Sequence, residues 1–67
     1  MSSFESINRD LTEATSLLNS VANEIRNIDF NKKENLQRIG TALTYIYEIQ
    51  HDIYAVKPDL KPEFLKE

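Results

Sequence analysis

From Phe4 to Ile28 the apolar residues fall at Phe4, Ile7, Leu11, Ala14, Leu18, Val21, Ile25 and Ile28, and their spacing alternates between three and four without a break. That period belongs to one face of a helix and to no strand. Over four heptads, lettered a to g, Phe4, Leu11, Leu18 and Ile25 take a, and Ile7, Ala14, Val21 and Ile28 take d. No glycine or proline interrupts the segment, so one helix is expected over about residues 3–28. Ser2 followed by Glu5 fits a capping box at its start, the serine oxygen and the glutamate each satisfying a free amide.

A second periodic segment begins after only Asp29, Phe30 and Asn31. A link this short between long helices makes them antiparallel neighbours. Asn31 with Glu34 suggests a second capping box, although Lys32 and Lys33 in the first turn oppose the helix dipole. The second helix is expected over about residues 32–56, ending before Pro58 because a proline pushes its predecessor out of the helical region. Its a and d residues are Leu36, Ile39, Leu43, Ile46, Gln50 and Ile53. The expected architecture is one all-α domain over residues 1–67, an antiparallel two-helix hairpin with a short tail over 57–67. Leu60, Phe64 and Leu65 of that tail are expected to fold back over Phe4, since apolar side chains seek burial.

The hairpin core then comprises Phe4, Ile7, Leu11, Ala14, Leu18, Val21, Ile25 and Ile28 against Leu36, Ile39, Leu43, Ile46 and Ile53. Gln50 stands at an a position, where a polar residue can fix register. The favoured expectation is instead that the stripe drifts to Ile49 in the last two turns, because 3.6 does not divide seven. The second helix is also apolar or uncharged beside its seam, with Gly40, Tyr47 and Tyr54 at e and Ala42, Ile49 and Val56 at g. An arc over g, a, d and e is wider than one neighbour covers, so a second neighbour is expected. Gly40, inside a helix, suggests a close helix crossing.

Charge is distributed to the same effect. Ala14 to Asn23 and Ile39 to Tyr47 carry no charged side chain. In a hairpin turning near Phe30, residues whose numbers sum to about 60 share a height, because both helices rise equally per residue. The two neutral stretches therefore form one belt around the waist of the rod. Charged residues are depleted at the centres of protein interfaces, and the Thr, Ser and Asn of this belt are poor helix formers. The expected interface residues are Ala42, Tyr47, Ile49, Tyr54 and Val56 with Leu17 and Ser20.

A chain of 67 residues has little core, and a single core below roughly 70–80 residues seldom supplies more than ~3–5 kcal/mol. With no cysteine and one histidine, disulfide and zinc staples are absent from the expectation, which leaves association. Twofold closure into a four-helix bundle is the expected form, with another protein as the second partner class. Glu48 and His51 have the i, i+3 spacing of carboxylate-bridged metal sites, with Glu13 at a suitable height. They fall at f, b and c, away from the seam, so a surface ion pair or solvated imidazole is expected and no metal or other cofactor.

No nucleophilic constellation or phosphate-binding glycine loop is present, and a two-helix rod offers no concave site, so an enzyme with a small-molecule substrate is not expected. The net charge of −3 does not suit nucleic acid. Arg26, Lys32, Lys33 and Arg38 near the turn give the alternative of an RNA-binding hairpin dimer of ROP-like architecture, diluted by Glu24, Asp29 and Glu34. No membrane span or secretory signal is expected, which makes the cytoplasm the default compartment. The function expected is that of a small non-catalytic protein–protein interaction module: a regulator, an immunity or antitoxin-like protein, or a small chaperone.

Overall fold

The computed structural model describes residues 2–62, and those residues form two helices packed against each other and one short 3-10 turn. Helix α1 spans Phe4–Ile28, helix α2 spans Lys32–Val56, and a 3-10 segment η1 covers Pro58–Leu60. The expected boundaries differ from these by one residue, at the start of α1. The cap there is Ser3 rather than Ser2. Its extended backbone lets its hydroxyl accept from the Ser6 amide at 3.0 Å. The reciprocal box with Glu5 is not formed, because a Ser3 cap puts Ser6 where the box requires a glutamate or glutamine.

The turn is built by two residues that tolerate a left-handed backbone. Asp29 has φ 53° and Asn31 has φ 38°. Asp and Asn reach this region more readily than other residues with a Cβ, because their short polar side chains bond locally. The amides of Asp29 and Phe30 both donate to the carbonyl of Ile25, which ends α1 and reverses the chain. Asn31 precedes α2 but its side chain caps nothing, because the left-handed backbone departs from the extended geometry a side-chain cap requires. The expected box with Glu34 is therefore absent. Asn35 ties the turn to the helix, its Nδ2 donating to the Phe30 carbonyl at 3.1 Å, without satisfying a first-turn amide.

Helix α2 meets α1 through Leu36, Ile39, Leu43, Ile46, Gln50 and Ile53, all buried or half-buried. Helix α1 answers with Asn8, Leu11, Thr15, Leu18, Ala22 and Ile25, which are its a and e rows. The d row is turned to the side. Ala14 is half-buried there, but Ile7, Val21 and Ile28 are exposed, as is Phe4 at the end of the a row. These four are the expected core residues that the isolated hairpin does not cover.

The cause lies in Gln50. It is only 8% exposed, and its Nε2 donates to Asn8 Oδ1 at 3.2 Å and Thr12 Oγ1 at 3.3 Å. A buried amide must be satisfied. Satisfying it turns Asn8 and Thr12 toward α2 and carries the d row outward. The stripe consequently does not drift to Ile49, which stays 48% exposed while Gln50 holds the seam. Ala22, on the same row of α1 as Asn8, is buried as well.

Beyond α2, the Lys57 amide donates to the Ile53 carbonyl and Pro58 opens η1, as a proline at a first helical position does. Leu60 is half-buried beside the end of α2. The expected return of Phe64 and Leu65 over Phe4 lies outside the described residues.

The left-handed positions can be tested directly. Asp29→Gly should leave stability unchanged or raise it by up to about 1 kcal/mol, whereas Asp29→Val should lower it by ~1–2 kcal/mol. Urea denaturation followed by circular dichroism reads both. Equal stability of the two variants would show that Asp29 does not carry a left-handed backbone in solution.

Candidate interaction surface

The exposed apolar residues become a surface once their rows are placed. At 100° per residue, the d row of α1 lies about 80° to one side of its a/e seam. The g row of α2 lies about 90° to the same rotational side of its a/d seam. Antiparallel helices are related by a twofold axis normal to the plane of the pair, so offsets of one sign fall on one face. Ile7, Ala14, Val21 and Ile28 therefore share a face with Ala42, Ile49 and Val56. Phe4 extends it at the open end of the hairpin.

The five large aliphatic residues of this face, Ile7, Val21, Ile28, Ile49 and Val56, are all exposed, and Ala14 and Ala42 between them are half-buried. An open cleft of about 510 Å³ lies at its end, lined by Ser2, Ser3, Phe4, Glu5, Ile7 and Lys57. Single exposed apolar residues are ordinary, but two parallel rows on one face form a patch of the kind that marks contact sites.

The remaining expected interface residues lie elsewhere. Tyr47 and the half-buried Tyr54 belong to the e row, on the opposite flank of α2. Leu17 is at g of α1, beyond the apolar face, and Ser20 points away from the hairpin altogether. One flat partner cannot cover Ile49 and Tyr47 together. Sequence reasoning missed that Ile7, Val21 and Ile28 belong with Ile49 and Val56. The Asn8, Thr12 and Gln50 triplet, at matching heights, was the available signal.

Gly40 lies on the e flank and is exposed, and a Cβ built there would meet nothing within 4 Å. No close crossing uses it in the hairpin, contrary to the expectation. Glu13, Glu48 and His51 are all exposed, and among the described residues no three acidic, histidine or cysteine side chains group to hold a metal ion. Arg9 pairs with Asp10 at 3.3 Å, and Arg38 with Glu34 at 3.8 Å and with Asn35 Oδ1 at 2.8 Å. These pairs are two-thirds exposed and contribute little to stability. Among the described residues no helix is long and apolar enough to cross a membrane.

Gly40→Ala should stabilise the chain by about 1 kcal/mol, since the added methyl meets open space and restricts the unfolded chain. A loss of stability would mean that a partner's backbone approaches the e flank. Gln50→Ala should cost about 1–3 kcal/mol, the usual consequence of opening a satisfied buried site, and thermal melting measures it. Glu48→Ala combined with His51→Ala should stay within about ±0.5 kcal/mol of the parent, as surface changes do.

A scan against protein-family models finds no match to this chain, and searches of the curated proteins and of the solved structures find none either.

Proposed function

We propose that this chain is a non-catalytic protein–protein interaction module that works through the face formed by Ile7, Ala14, Val21 and Ile28 with Ala42, Ile49 and Val56. A regulator, an immunity or antitoxin-like protein and a small chaperone are the roles that such a module fills. The observation that carries the reading is the joint exposure of two apolar rows on one side of the hairpin. The uncharged waist supports it in part: Ala14, Val21 and Ala42 lie within that belt, whereas Ile7, Ile28, Ile49 and Val56 lie beyond it.

The economy of the fold supports it too. Apart from Ala22 and Ile53, no apolar residue described is buried. The Cα radius of gyration is 14.1 Å, against ~11 Å for a compact chain of this length. The accessible surface is 5344 Å², whereas a compact monomer of 7.8 kDa exposes ~4,400 Å².

Light scattering on size-exclusion fractions tests the reading, with the chain alone and after incubation in host lysate. The parent chain should elute in a complex heavier than its own mass in at least one arm, and Ile49→Asp should abolish that complex while Glu48→Asp should not. A parent chain that is monomeric, fully helical and uncomplexed in both arms would overturn the proposal.

A further inference from the structure

We draw no further inference here: the strongest candidate, the apolar face of the hairpin with its open cleft at Phe4, Ile7 and Lys57, belongs to the surface already described, and nothing in the structure shows what covers it.

Discussion

Gln50 governs how this hairpin divides its apolar residues between the inside and the outside. Its side-chain amide lies in the seam and donates to Asn8 and Thr12, two polar groups on one side of α1. An amide placed there without acceptors would cost about 1–3 kcal/mol, a large share of what so small a core supplies. The interaction therefore fixes the rotation of α1 about its own axis. With that rotation set, Leu11, Leu18 and Ile25 face inward with Thr15 and Ala22, and Ile7, Val21 and Ile28 face out.

Much of the fold was legible in the sequence because helix formation and chain reversal are local events. The unbroken three–four spacing defines α1, the three-residue link forces an antiparallel return, and Pro58 ends α2; each of these is read from neighbours in sequence. The caps were less legible. Ser2 and Ser3 are equivalent as candidates by type, and the glutamate at position 5 favoured the wrong one; Asn31 has the composition of a cap but the backbone of a left-handed turn. Propensity names the residue type that a position accepts, and adjacent residues of one type are separated only by dihedral angles.

The surface was half legible for a different reason. The width of the apolar arc on α2 is a property of α2 alone, and Ile49 and Val56 stand out from it. The outward row of α1 depends on a pairing across 42 residues of chain, between Asn8 and Gln50, and spacing within either helix does not report it. The same cause explains why Tyr47 and Ile49 looked like parts of one patch. They are two residues apart in the chain, but about 200° apart around the helix, so the seam separates them to opposite flanks.

The hairpin is also unequal from end to end. At the turn, the helices are held by covalent continuity and by the amides of Asp29 and Phe30 on the Ile25 carbonyl. At the open end nothing covalent holds them, and side chains must prevent splaying. That is where the well-buried α2 residues, Gln50 and Ile53, are found. It is also where Phe4, Ile7, Ile49 and Val56 lie exposed. Covering those four would clamp the free ends of both helices from outside the seam, where fraying begins. On the proposed reading, a partner on this face would bear first on the end that no covalent turn holds, so its binding would be coupled to the folding of that end.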